Sequence, residues 1–395
     1  MSQHGRTRDG ILCSVKSALP SLLLTALLLL TACSSGSAMV TDDGGEMVGN
    51  FSDDVSAVLF VDPGTVRTEY TAFVAELKKT RASSLKNRRN LYAEYVPIIG
   101  ANGVLDGITE LWPKCHSEAH DLGKVIFGKT GDMSVSLQVC RDGCYSGCMH
   151  GVLMEAFAGA RTSAQADPEQ HVDVDIVKSL MEDICSKNST MTSAYSPGDC
   201  AHATGHALMV LADYRVSEAI RYCDDFGSDP MRYYCATGAY MEYITERDII
   251  DTTVGRRTFY PCDTGRYPAA CMRYKMPHVI GRLVKKKQDV EPFMRRCDEF
   301  AGVVRIGCYH GAGNGYMSLI AGERITLQDV CGQGTDDERA ACIDGAMERM
   351  AKYYPDRAAE VCRDLPSGSF ERKICGEAAG RGMYNMEKDL SLYVE

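Results

Sequence analysis

The 395 residues contain no Gly-x-Ser-x-Gly nucleophile elbow, no Cys-x-x-Cys-His for covalent haem and no His-Glu-x-x-His. Those absences remove the most recognisable serine-hydrolase, haem-attachment and zinc-protease signatures. The near misses fail on spacing. Cys144-Tyr-Ser-Gly-Cys148-Met-His150 has both gaps wrong, and in His116-Ser-Glu-Ala-His120 the acid, Glu118, is displaced by one position. Positive charge is also short: 43 Lys and Arg stand against 53 Asp and Glu, a formal net charge of −10. An acidic chain argues against nucleic acid as a partner. The basic run Arg282-Leu-Val-Lys285-Lys286-Lys287 reads as a solvated helix end. Asp224, Asp225, Glu242 and Glu246 show no spacing that favours acid–base work, so they read as solvated surface. The apolar stretch Leu22 to Leu30 is too short for a comfortable membrane span.

Cysteine, by contrast, is abundant and periodic. The starts Cys148-Met-His-Gly, Cys235-Ala-Thr-Gly, Cys308-Tyr-His-Gly and Cys342-Ile-Asp-Gly are joined by looser versions at Cys115, Cys200, Cys271 and Cys375. Gaps of 33 to 37 residues separate most neighbours in this series. A fixed period of that size predicts stacked helical pairs, and an all-α chain. Most periodic cysteines are preceded by another, which suggests bridges Cys185–Cys200, Cys223–Cys235, Cys262–Cys271, Cys297–Cys308, Cys331–Cys342 and Cys362–Cys375. Cys115, Cys140, Cys144 and Cys148 allow three pairings, of which Cys115–Cys144 with Cys140–Cys148 is preferred. With the cysteines counting out evenly, a thiol nucleophile has no place. Gly151, Gly238, Gly311 and Gly345 each follow their cysteine by three residues. Glycine inside a helix costs up to about 1 kcal/mol, so its recurrence suggests close backbone contact between stacked helices.

The clearest unit runs from Cys342 to Cys375. Cys342 to Tyr353 has helical spacing, Pro355 suits the first turn of a second helix, and that helix leads to Cys362. The bridge to Cys375 then staples one pair to the next. Residues 63–114, with Tyr70, Phe73, Val74 and Leu77 on one face, read as N-terminal capping helices, and residues 115–395 as the repeat domain, with a polar inserted loop near 159–175. Gly123-Lys-Val-Ile-Phe-Gly-Lys129-Thr130 matches the phosphate-loop pattern letter for letter, but it follows a helix start rather than a buried strand. No nucleotide is expected there.

The N-terminus, with Arg6, Arg8 and Lys16 before the apolar run and Leu30-Thr31-Ala32-Cys33 at its end, resembles a bacterial lipoprotein signal with its lipobox. The resemblance implies cleavage after residue 32 and lipidation of Cys33, so that a membrane anchor precedes a flexible tether at 33–62. Ser34 after the cysteine implies the outer membrane of the cell envelope, facing the periplasm or the cell surface. Such a compartment lets disulfides persist. The repeat region loosely resembles the tetratricopeptide and Sel1-like superfamily, with Cys-x-x-Gly in place of its Leu-Gly and Tyr pattern. That resemblance implies an α/α solenoid with a concave face for a protein or peptide ligand.

Of nine histidines, seven lie near the repeat cysteines: His116, His120, His150, His202, His206, His278 and His310. Two pairs have i,i+4 spacing, which puts both imidazoles on one helix face. Two readings follow. A lipid-anchored binding or scaffold protein is the first, and a metalloprotein holding zinc, copper or haem iron on these histidines, with possible oxidoreductase activity, is the second. Imidazoles bonded each to local backbone favour the first, and converging imidazoles the second.

Overall fold

A computed structural model of the chain describes residues 66–80, 85–112, 115–141, 143–165, 185, 196–247, 256–284 and 287–394. The signal segment 1–32, Cys33, the tether 33–62 and most of the loop expected near 159–175 lie outside the described residues. The fold is all-α, with fifteen α-helices and no strand among the described residues. They are α1 (Arg67–Thr80), α2 (Leu85–Leu111), α3 (His116–Thr130), α4 (Met133–Val139), α5 (Gly147–Gln165), α6 (Pro197–Leu211), α7 (Val216–Cys223) and α8 (Asp229–Glu246). The remainder are α9 (Pro268–Leu283), α10 (Val290–Met294), α11 (Gly302–Ala321), α12 (Leu327–Cys331), α13 (Asp336–Tyr353), α14 (Pro355–Asp364) and α15 (Phe370–Arg381). No described helix is long and apolar enough to cross a membrane.

Long helices α3, α5, α6, α8, α9, α11, α13 and α15 each pack on the next, and every bridge except Cys115–Cys144 has its second cysteine in one of them. Cys223 ends α7 and joins Cys235 in α8, Cys331 ends α12 and joins Cys342 in α13, and Cys362 in α14 joins Cys375 in α15. Cys262–Cys271, Cys297–Cys308 and Cys185–Cys200 do the same for α9, α11 and α6. The first four cysteines pair as Cys115–Cys144 and Cys140–Cys148. A bridge closing a loop of this length contributes about 3 kcal/mol, in the chain-entropy model, by restricting the unfolded chain.

The helices begin earlier than the cysteine period suggests. Cys342 sits inside α13, which opens at Asp336 behind a Thr335–Glu338 capping box, and Cys308 sits inside α11, which opens at Gly302. An N-cap threonine satisfies orphan N–H groups whatever lies further along, so the cap, not the cysteine, sets the start. Helix α5 likewise continues through Gln165, into the segment expected as a loop.

The recurrent glycines sit where long helices cross. A methyl group on Gly238 of α8 would overlap the carbonyl oxygen of His202 in α6, and one on Gly205 of α6 would overlap that of Cys235 in α8. Gly123 and Gly151 form the same reciprocal crossing between α3 and α5, and Gly313 and Gly345 between α11 and α13. Backbones touch there, which leaves no room for a Cβ.

Crossing at that point also sets which side chains face inward. Positions two and six after a repeat cysteine share a helix face, and His202 with His206, His310 with Asn314, and Asp344 with Glu348 occupy them in buried positions. Beyond α15 the chain folds back: Tyr384 hydrogen-bonds Tyr274 of α9, the Tyr234 hydroxyl of α8 donates to the Asn385 carbonyl (2.6 Å), and Tyr393 is buried against His310. The ring centroids of Tyr145, just before α5, and Tyr353, at the end of α13, lie 4.2 Å apart. The helices therefore enclose their shared polar positions.

Candidate metal centre

Five of the seven histidines meet in this interior. His116 and His120 come from α3, His150 from α5, and His202 and His206 from α6. Their ring centroids lie 4.5 Å apart for His116–His120, 4.8 Å for His116–His150, 4.7 Å for His150–His206 and 4.9 Å for His202–His206. Two three-histidine sets result, His116–His120–His150 and His150–His202–His206, each with ligand atoms within 4.8 Å of one another. His150 belongs to both.

For three of the five rings, hydrogen bonds fix which nitrogen faces the centre. The Glu242 carboxylate of α8 accepts from His206 Nδ1 at 2.9 Å and from the Tyr214 hydroxyl at 3.0 Å. Thr237 gives its own proton to the Tyr234 carbonyl (2.6 Å), so its oxygen accepts from His202 Nδ1 at 2.8 Å. The backbone carbonyls of Cys144 and Tyr145 accept from His116 Nδ1 at 3.2 and 3.1 Å. In each of these three rings Nδ1 carries the proton and Nε2 presents a lone pair. The Nε2 atoms of His202 and His206 nevertheless lie 3.3 Å apart, and those of His116 and His120 3.1 Å apart. Between His202 and His206 no hydrogen bond is possible in the neutral state, because neither nitrogen has a proton to give.

A proton on His202 is one remedy, and burial opposes it. Burial first, then the neighbouring His206, pushes the His116 imidazole down to about 4. His120, His150 and His202 are held well below the ordinary histidine range for the same leading reason. A metal ion is the other remedy. Two imidazole nitrogens bound at about 2.0–2.1 Å to one tetrahedral ion lie roughly 3.3–3.4 Å apart, and the spacings here match that within a few tenths of an ångström. Nδ1–H donated to a carboxylate, hydroxyl or carbonyl is the outer-shell arrangement that orients metal-bound histidine. His150 Nδ1 is buried with no hydrogen-bond partner.

Glu242 had read as solvated surface, and the structure corrects that. It is buried on the inner face of α8, where burial alone would raise its carboxyl but the hydrogen bonds from His206 and Tyr214 hold it below the usual range. The i,i+4 pairs were visible in the sequence. Thr237 sits at the same place after its cysteine as His150, which was a usable signal; Tyr384, whose hydroxyl lies 3.1 Å from His202 Nε2, had none.

The remaining two histidines lie elsewhere. His278 is on an exposed face of α9 and joins neither set. His310 belongs to a second buried group with Asp344 and Glu348, which also have metal-ligand spacing. Cations already serve those carboxylates: Arg273 Nη2 lies 2.6 Å from Glu348, Arg381 Nη2 lies 2.9 Å from Asp344, and Lys388 pairs with both acids. That group is an internal ion-pair network. The phosphate-loop look-alike at Gly123–Thr130 lies wholly within α3, so its backbone N–H groups are spent on the helix.

The five-histidine centre opens onto a cavity of about 410 Å³, reached past His116, His150 and His202 and walled by tyrosines. Compared with protein-family models, curated proteins and solved structures, the chain matches none.

Proposed function

We propose that this chain is a metal-binding protein of the cell envelope, whose clustered histidines hold one or two transition-metal ions beside a ligand cavity. The observation that carries this reading is the facing of His202 Nε2 and His206 Nε2 at 3.3 Å, each with its proton committed to the other ring nitrogen. The Tyr384 hydroxyl lies 3.1 Å from His202 Nε2, whereas His206 Nε2 turns its lone pair towards that of His202. The convergence favours metal over the scaffold reading. An all-imidazole donor set suits zinc or copper. Haem fits less well, since two imidazoles on opposite faces of a macrocycle place their nitrogens about 4 Å apart. Export to an oxidising compartment, by the lipoprotein-like signal at residues 1–33, agrees with sixteen cysteines held in eight bridges.

The test is elemental analysis and an absorption spectrum of the disulfide-intact chain, purified without chelator, beside a His202→Ala/His206→Ala variant. Stoichiometric metal in the wild type, reduced in a variant of unchanged circular dichroism, supports the reading. A folded wild type that carries no metal and takes up neither zinc nor copper on addition overturns it.

A further inference from the structure

We infer that the cavity above the histidines is a binding site for a small organic anion, a carboxylate on an aromatic or apolar body, with Arg349 as its counter-ion. The wall contains two cations, Arg349 and Lys352, both on α13, and no Asp or Glu. In a chain with ten more acidic than basic residues, a cavity without a carboxylate is a marked local reversal.

Arg349 is not neutralised from within. Its Nη1 donates to Asn314 Oδ1, its guanidinium lies 5.6 Å from the Tyr353 ring centre and 6.0 Å from that of Tyr274, and its buried Nε has no hydrogen-bond partner. Among the described residues no acidic side chain pairs with it. The nearby buried arginine, Arg273, differs in having Glu348 at 2.6 Å. Arg349 is half-buried, so its guanidinium is partly withdrawn from water without a counter-ion, which is costly, and an anion entering the cavity supplies one. Its planar donors suit a carboxylate, which it can grip through two nitrogens.

The rest of the wall describes the ligand's body. Tyr145, Tyr274, Tyr353 and Tyr384, with Met241 and Met317, offer ring faces and thioethers to an aromatic or apolar body. A volume of about 410 Å³ is within the usual range for small-molecule sites, roughly 300–1,000 Å³, near its lower end. A single aromatic ring carrying a carboxylate fits these limits. Its contact with an ion on His116, His150 and His202 rests on the metal reading above; its contact with Arg349 does not.

The experiment is calorimetric titration of the full, disulfide-bonded chain with benzoate and with benzamide, its neutral isostere, before and after metal removal by chelator. Benzoate binding to the metal-free chain, at least tenfold tighter than benzamide, with the difference lost in Arg349→Gln and reduced in Lys352→Gln, is the expected result. Lys352 is exposed, so its variant folds even where Arg349→Gln does not. Equal or absent binding of the two probes in both metal-free and metal-loaded chain overturns the inference, as does full discrimination retained in both variants. Arg349-dependent benzoate binding by a chain that takes up no metal would sink the metal reading alone and leave this one standing.

Discussion

His206 and Glu242 are joined across the α6–α8 crossing by a 2.9 Å hydrogen bond that fixes the His206 tautomer and aims Nε2 at the centre. The geometry depends on the backbones meeting at Gly205 and Gly238, one residue before His206 and four before Glu242. Packing at the glycines and orientation at the histidine are thus parts of one arrangement, and each can be tested alone.

Removing the carboxylate should weaken metal binding without unfolding the chain. Outer-shell partners of metal-bound histidine are worth ten- to a hundred-fold in affinity, so Glu242→Ala is expected to lower zinc or copper affinity by about that factor. Competition against a chromophoric chelator reads it. An unchanged affinity would mean that Glu242 serves Tyr214 rather than the centre.

The glycine crossings make a prediction with an internal control. Gly238→Ala pushes a methyl into the His202 carbonyl and should cost about 1–3 kcal/mol, as overpacking does, measured as a lower denaturant midpoint. Gly128, in α3, has nothing near its missing Cβ, so Gly128→Ala should leave stability unchanged or raise it by up to about 1 kcal/mol. Similar costs at both positions would show that helix propensity, not backbone contact, governs these sites.

Much of this architecture was legible because its signals are local. Cysteines ten or so residues apart, bridged across one tight turn, leave a spacing that can be read directly, as Cys297–Cys308 and Cys331–Cys342 do with a separation of 11. The pairs His116/His120 and His202/His206 declared a shared face by their i,i+4 spacing. Their convergence did not show, because it depends on how α3, α5 and α6 cross. Asp344 and Glu348 occupy, after Cys342, the places that His202 and His206 occupy after Cys200, but a carboxylate in a helix reads first as solvated surface. Tyr384 meets His202 across 182 residues, through a tail whose sequence has no period. Contacts of that kind have no local pattern, which is why the cavity wall was not visible.

Opening the centre by reduction should follow the staples nearest to it. Cys140–Cys148 and Cys115–Cys144 hold the turn before α5, where the backbone carbonyls of Cys144 and Tyr145 accept from His116. A Cys140→Ser/Cys148→Ser variant is expected to lose a few kcal/mol of stability, and to lose metal affinity more than the equally destabilising Cys362→Ser/Cys375→Ser, which lies on α14 and α15. Equal effects on affinity would point to global loosening.

The second buried group predicts an acid-sensitive tail. Burial alone would raise both carboxyls, but Lys388 and His310 hold Asp344 well below its ordinary value, and Arg273, Lys388 and His310 bring Glu348 from 4.5 down to about 2. A carboxyl with a depressed folded-state pKa binds its proton more readily in the unfolded chain. It therefore contributes stability that is fully present above the unfolded value and is lost as pH falls through the folded one. The window here runs from about 4.5 down to about 2. Lys388 belongs to the C-terminal tail, as does Tyr393, whose hydroxyl donates to Asp344 at 3.0 Å, so protonation first weakens the docking of that tail on α13. Denaturant midpoints measured across the window, with pepsin cleavage within residues 384–394 as a local readout, should fall together. Lys388→Met leaves both acids with one cation fewer, which raises their folded-state values and moves the onset of tail release to higher pH. A tail that stays docked down to the bottom of the window, or an onset that Lys388→Met leaves in place, would mean that apolar burial of Leu390 and Tyr393, not the ion pairs, holds it.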